Sequence, residues 1–180
     1  METTSLYVEL IIIGLETVMW MASFSIYFTD IKYISVIKEM IEKLPASIFL
    51  LGIMYILGMI FDRASDFIFK KVENRIRHNS GLKAKSSILI CKSSDQEEYF
   101  KFTRSKIRIL RSSSINVPLL VVSIALNILK YYQTENMFLI FVVVTGCVFS
   151  FFSWKGYKIV LENFYTKASI LEEAYTNTSQ

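Results

Sequence analysis

The sequence predicts an all-α membrane protein: four transmembrane helices with helical cytoplasmic extensions, forming a single membrane domain. Three observations carry the prediction. Hydrophobic residues make up 53% of the 180 residues and aromatics 14%, with only six Gly and two Pro. The core of one soluble domain of this length cannot hide so much apolar surface. The apolar residues gather into four runs with almost no charge, and the charged residues, 20% of the chain, gather between and after those runs.

The first run, 10–28, is nineteen residues long and holds one charge, Glu16. No Lys or Arg precedes it and it is longer than a typical signal-peptide core, so it is expected to persist as a signal-anchor span. The second run covers 46–61, the third 115–129 and the fourth 137–154, none with a charged residue. A crossing takes roughly 17–25 residues, and helix-compatible flanks lengthen the two shorter runs. Four buried helices of a soluble protein would each carry a polar stripe, which these runs lack.

Charge orients the spans. Of the twenty Lys and Arg, sixteen fall in 63–114 or after Trp154 and four in the other two connections. The positive-inside bias then puts both termini and 63–114 in the cytoplasm and 29–45 outside. In 29–45, Ile34, Ile37, Ile41 and Leu44 recur at helical spacing, as in a short helix lying on the outer surface. Ala64, Phe67, Ile68, Val72 and Ile76 continue the helical period beyond the second span, up to a cap at Asn79-Ser80-Gly81. Ile88-Leu89-Ile90 reads as a short strand or a packed loop. Ser94-Asp95-Gln96-Glu97 has capping-box spacing and starts a helix running into the third span, where Pro118 is expected to kink or restart it. After the fourth span, Tyr157, Leu161, Phe164, Ala168, Leu171 and Tyr175 alternate steps of four and three. This heptad-type seam serves either the chain's own helices or another subunit; Tyr157, Leu161, Phe164 and Leu171 are the candidate oligomer seam.

Glu16 is the first candidate functional residue, because a carboxylate inside a span is costly and marks an ion path, a proton relay or a buried contact. Glu9, Glu16 and Ser23 share one helix face at seven-residue spacing, and the third span offers a matching stripe of Asn116, Ser123 and Asn127. In the fourth span, Gly146 and Ser150 form a small-xxx-small pair suited to close helix packing. The bland reading is interhelical glue; the sharper ones are an oligomeric pore lining or a proton relay. Lys101, Arg104, Arg108 and Arg111 make a positive stripe, and Arg63, Lys70 and Arg77 a second. Charges nearest the membrane, Arg63, Arg108 and Arg111, suit anionic lipid head groups. Lys70, Arg77, Lys101 and Arg104 suit an acidic soluble partner. No nucleic-acid-binding motif accompanies them, which argues against direct binding of nucleic acid.

Catalysis and cofactors find no support. His78 is the one histidine and reads as a helix-end cation. No metal-ligand spacing, phosphate-cradling Gly loop or nucleophile elbow occurs. Cys91 and Cys147 fall in the cytoplasmic part and in a span, and read as free thiols. A bias towards Ile, Lys, Ser and Asn suggests an AT-rich bacterial genome, and with the spans it makes the bacterial inner (plasma) membrane the expected location. The plan of four spans, a 62–114 insertion and a 155–175 tail on one side resembles small membrane subunits of bacterial anti-phage defence systems of the Kiwa type. The resemblance implies a homo-oligomer that recruits a soluble cytoplasmic partner or perturbs the bilayer. It lies in the plan alone, so no residue role follows from it. The expectation is therefore an oligomeric scaffold or sensor subunit docking a soluble partner. A homo-oligomeric pore is the alternative and a small transporter the next.

Overall fold

The computed structural model describes residues 2–29, 44–81, 94–131 and 136–178. These residues are almost wholly helical, with no strand among them. Four helices follow one another: α1 (Glu2–Phe28), α2 (Leu44–Asn79), α3 (Ser94–Tyr131) and α4 (Asn136–Thr178). Each is long and apolar enough to cross a membrane. The expected outer-surface helix and the Ile88–Ile90 segment lie outside the described residues, as do Cys91 and the side chain of Tyr175.

Length divides the helices into two zones. At 36, 38 and 43 residues, α2, α3 and α4 run about 54–65 Å at 1.5 Å per residue, roughly twice the ~30 Å hydrocarbon thickness. Their apolar halves share one zone with α1. Their other halves project together from its basic end. The ends follow local chemistry. Pro45 sits in the first turn of α2, where its missing N–H costs nothing. Gly81, at φ 74°, closes that helix by donating its N–H to the His78 carbonyl at 3.2 Å, a left-handed position that suits glycine. Ser94 begins α3, with Asp95 and Glu97 in its first turn. The helix passes Pro118 as one element. Proline lacks the N–H that would bond to the Ser114 carbonyl and its ring crowds that carbonyl, a cost that membrane helices tolerate because neighbouring groups re-satisfy the freed backbone.

The order of contacts gives the chain directions. Glu9, Glu16, Ser23 and Tyr27 of α1 meet Arg108, Ser113, Asn127 and Lys130 of α3 in the same order, so these helices are parallel. Phe164, Gly156 and Gly146 of α4 meet Phe100, Leu110 and Val121 of α3 in reverse order, so those are antiparallel. In the apolar zone α1 packs on both α2 and α3, and α4 packs on α3. The α1–α2 crossing is glycine-dependent. A Cβ on Gly14 would overlap the Met54 carbonyl, and one on Gly58 would overlap the Leu10 carbonyl. Bare backbone approaching backbone is how membrane helices gain contact area without a hydrophobic drive.

Outside that zone the projecting halves of α2, α3 and α4 build a core resembling that of a soluble bundle. Phe69, Ile76, Phe100, Ile107, Tyr157, Leu161, Phe164, Tyr165 and Ala168 form one buried cluster, with Leu171 packed against it. Phe100 meets Phe164 edge-on at 5.2 Å, and Phe69 meets Tyr157 at 5.3 Å. This corrects the expected oligomer seam. Tyr157, Leu161 and Phe164 are 0, 1 and 4% exposed within a single chain, so their heptad spacing serves α2 and α3 of the same chain, and Leu171, partly buried, packs against the same cluster.

Candidate functional site: a charge clamp above a polar ladder

At the junction between the two zones, six ionisable side chains from three helices converge. Asp62 and Asp66 lie one turn apart on α2, and Arg108 and Arg111 lie one turn apart on α3, so each pair presents a single face. Arg108 Nη2 donates to Asp62 Oδ2 at 2.7 Å and its Nη1 reaches Glu9 Oε2 of α1 at 3.4 Å. Arg111 Nη2 donates to Asp62 Oδ1 at 3.0 Å, and its Nη1 donates to Asp66 Oδ1 at 2.6 Å. Glu73 Oε2 stands 3.8 Å from the same Nη1. Glu73 Oε1 accepts the Tyr165 hydroxyl at 2.6 Å, which brings in α4. The two oxygens of Asp62 thus hold two guanidinium groups, an arrangement that a planar fork can satisfy and a lysine cannot.

Burial decides the strength of these contacts. The side chains of Asp62 and Arg111 are 7 and 6% exposed, whereas that of Asp66 is 51% exposed. Water screens the outer contact and leaves the Asp62–Arg111 pair nearly unscreened. Taking charges this far out of water is offset only when the remaining donors and acceptors find partners. Here all but Arg111 Nε do so among the described residues. The placement corrects the sequence expectation for Arg108 and Arg111. They face carboxylates of α1 and α2 rather than lipid head groups, because those fixed acids offer charge-assisted bonds with no ligand to recruit.

A ladder of polar bonds continues from the clamp down the α1–α3 contact. Glu16 accepts from Ser113 Oγ at 2.6 Å and from Asn116 Nδ2 at 3.2 Å. Trp20 Nε1 donates to Asn116 Oδ1 at 3.1 Å, which fixes the amide's orientation. Asn127 Nδ2 donates to the Ser23 carbonyl at 2.7 Å and approaches Ser23 Oγ at 3.1 Å. Ser123, fully buried, donates to the Leu120 carbonyl at 2.8 Å. The ladder ends where Lys130 Nζ donates to the Tyr27 carbonyl at 2.6 Å. Glu16, Ser23, Asn116, Ser123 and Asn127 are thus brought together. Gly146 faces Val121, whose side chain a Cβ would overlap, and Ser150 bonds back to the Gly146 carbonyl at 2.7 Å.

Of the other basic residues, Arg63 and Arg104 line one cavity with the charged groups of the clamp. Lys70 and Arg104 are exposed, and Lys101 pairs with Glu97 at 2.6 Å along its own helix. Arg77 is half-buried on α2. Reading the basic line Arg63, Lys70 and Arg77 hides the acidic line 62, 66 and 73 on the same helix. Its signal is Asp62 and Asp66 one turn apart just past an apolar run, matched by Arg108 and Arg111 just before another. Among the described residues no group of His, Cys, Asp and Glu is arranged to hold a metal ion. What the arrangement provides is a rigid joint between the apolar zone and the projecting bundle. No protein-family model, curated protein or solved structure matches the chain.

Proposed function

We propose that the chain is an oligomeric integral membrane scaffold whose projecting bundle docks a soluble cytoplasmic partner. The observation that carries this reading is the clamp. It ties α1, α2 and α3 at the level where the helices leave the apolar zone, so a load on the projecting bundle is transmitted to the spans. The bundle also presents what a docking surface needs. Arg104 and Lys70 are exposed, and Phe67, Ile68 and Phe102 are 82, 57 and 59% exposed beyond the apolar runs. Cations beside exposed aromatics suit an acidic protein surface. In the membrane, the apolar face of α4 is almost wholly uncovered, with Phe138, Phe141, Phe149 and Phe152 each more than half exposed. That face is open to lipid or to another copy. The scaffold is preferred to a pore because the polar side chains of α1 and α3 bond to one another rather than lining a path.

The resemblance of the span plan to Kiwa-type subunits makes anti-phage defence in a bacterial inner membrane the first setting in which to look, with both termini cytoplasmic. The test is the native mass of tagged chain extracted in mild detergent. A stoichiometric soluble protein should accompany a homo-oligomer of the wild type. It should be lost from Lys101→Glu with Arg104→Glu, while the oligomer stays intact. The Lys101–Glu97 pair is a surface contact worth little stability, and a melting temperature equal to that of the wild type checks that the double variant folds. A bare ring of subunits that conducts ions would overturn the scaffold in favour of the pore.

A further inference from the structure

Between the first turns of α1 and the middle of α2 runs a groove of about 590 Å³. Leu6 and Leu10 form one wall, and Tyr55, Met59 and Ile60 the other. From Tyr55 to Arg63 the groove follows eight residues of α2, about 12 Å at the helical rise. Its walls therefore lie in the apolar zone and its mouth lies at the junction. At the mouth stand the Asp62–Arg108 pair and Arg63. Asp62 is held by two guanidinium groups, and with Arg63 and Arg108 against Asp62 the charged lining of the groove has one cation in excess. Arg63 is exposed and makes no ion pair with any described residue.

We infer that this groove is a binding site for one anionic glycerophospholipid. Its phosphate would sit on Arg63 and the upper part of one acyl chain would lie along Leu10, Tyr55 and Met59. Charge complementarity selects the occupant. A single unpaired guanidinium caps an apolar slot, at the end of the molecule that carries most of its Lys and Arg, and a planar fork suits phosphate oxygens. A soluble acidic peptide matches the cation but not apolar walls that lie within the zone of the spans. A second copy of the chain would match the walls but leave the guanidinium without a counter-charge. The inference is separate from the docking reading, since neither Lys101 nor Arg104 lines this groove and lipid retention is read independently of partner capture.

The experiment is native mass spectrometry of the detergent-extracted chain titrated with dioleoyl phosphatidylglycerol, or with dioleoyl phosphatidylcholine for comparison. One phosphatidylglycerol per chain should be retained under activation that strips phosphatidylcholine. Arg63→Gln should weaken phosphatidylglycerol binding by about tenfold, the equivalent of one charge-assisted bond, and leave phosphatidylcholine unchanged. Lys155→Gln, which removes a cation at the same end but outside the groove, should change neither. Met59→Trp should lower occupancy by filling the slot, and since Arg63→Gln removes no packing contact, a misfolded Met59→Trp would not spoil the test. Equal retention of the two lipids, or equal losses in Arg63→Gln and Lys155→Gln, would reduce the site to diffuse surface charge and overturn the inference. Displacement of the lipid by excess inorganic phosphate would show that the acyl chain contributes nothing, and would overturn it equally.

Discussion

Replacing Arg111 by Met keeps the side-chain volume and removes the charge at the centre of the clamp. The change deletes donors to Asp62 at 3.0 Å and to Asp66 at 2.6 Å. Asp66 is half-exposed and can turn to water, so its loss is small. Asp62 is 7% exposed and is left with Arg108 alone, its Oδ1 reached only by Arg108 Nε at 3.4 Å. Removing one partner of a buried pair costs about 3–5 kcal/mol, most of it the desolvation of the charge left behind. At roughly 2–4 °C per kcal/mol for a chain of this length, the melting temperature should fall by about 6–20 °C. The assay is thermal unfolding of purified chain in one detergent, with Asp62→Asn and the double variant completing the cycle. Asp62→Asn should partly rescue Arg111→Met, since it neutralises the orphaned carboxylate, and the coupling should exceed about 1 kcal/mol. Arg111→Lys should fall between, because an ammonium cannot hold two carboxylates with a planar fork. A loss under about 1 kcal/mol for Arg111→Met, or strict additivity with Asp62→Asn, would mean that the clamp is screened by water and holds nothing.

Three further outcomes follow from the same geometry. Gly58→Leu should separate α1 from α2 and lower thermal stability by about 1–3 kcal/mol, the range for overpacked contacts, whereas Gly52→Leu, which meets nothing within 4 Å, should be neutral in the same melting experiment. Glu16→Gln should keep the bond from Asn116 through its amide oxygen, with the Ser113 hydroxyl turned to accept from its NH2, and lose under about 1 kcal/mol, while Glu16→Leu strands both partners and should lose about 1–3 kcal/mol; ion flux abolished by Glu16→Gln with stability unchanged would instead identify a conducting role. Tyr157→Phe should be neutral or slightly stabilising on denaturation, because the Tyr157 hydroxyl is fully buried with no bond to any described residue and removing an unmatched polar group relieves a penalty.

The spans, their continuation into long helices and the polar faces of α1 and α3 were legible because each is a one-dimensional pattern. Glu16, Ser23, Asn116, Ser123 and Asn127 announce themselves as polar residues inside apolar runs, and steps of seven on α1 and of seven and four on α3 place them on one stripe of each helix. The clamp was not legible in the same way. Asp62, Asp66, Arg108 and Arg111 lie just past the ends of those runs, where charges are common and lipid head groups are the default partners. Only the pairing of α2 with α3, a contact across forty-five or more positions, turns four ordinary interface charges into one buried group. Tyr157, Leu161 and Phe164 show the converse. Their period is plain in the sequence, yet period alone cannot say whether the opposing face belongs to the same chain.

The position of the clamp follows from a change of solvent. Within the apolar zone, lipid offers no hydrophobic drive for helix association, so register rests on polar bonds and close glycine contacts: Asn127 on Ser23, Asn116 between Trp20 and Glu16, Gly14 and Gly58 at the crossing. Beyond the zone, water drives Phe69, Phe100, Tyr157, Leu161 and Phe164 into a core, but apolar packing tolerates sliding and is a poor judge of register. The two regimes share the helices α2, α3 and α4. An α-helix rotates about 100° for each residue of slip, so sliding of α3 by one residue against α2 would swing Arg111 away from Asp62 and leave both charges buried without partners. The cost of that failure makes the clamp a register lock, and its place at the boundary is where one lock fixes both halves of the helices at once.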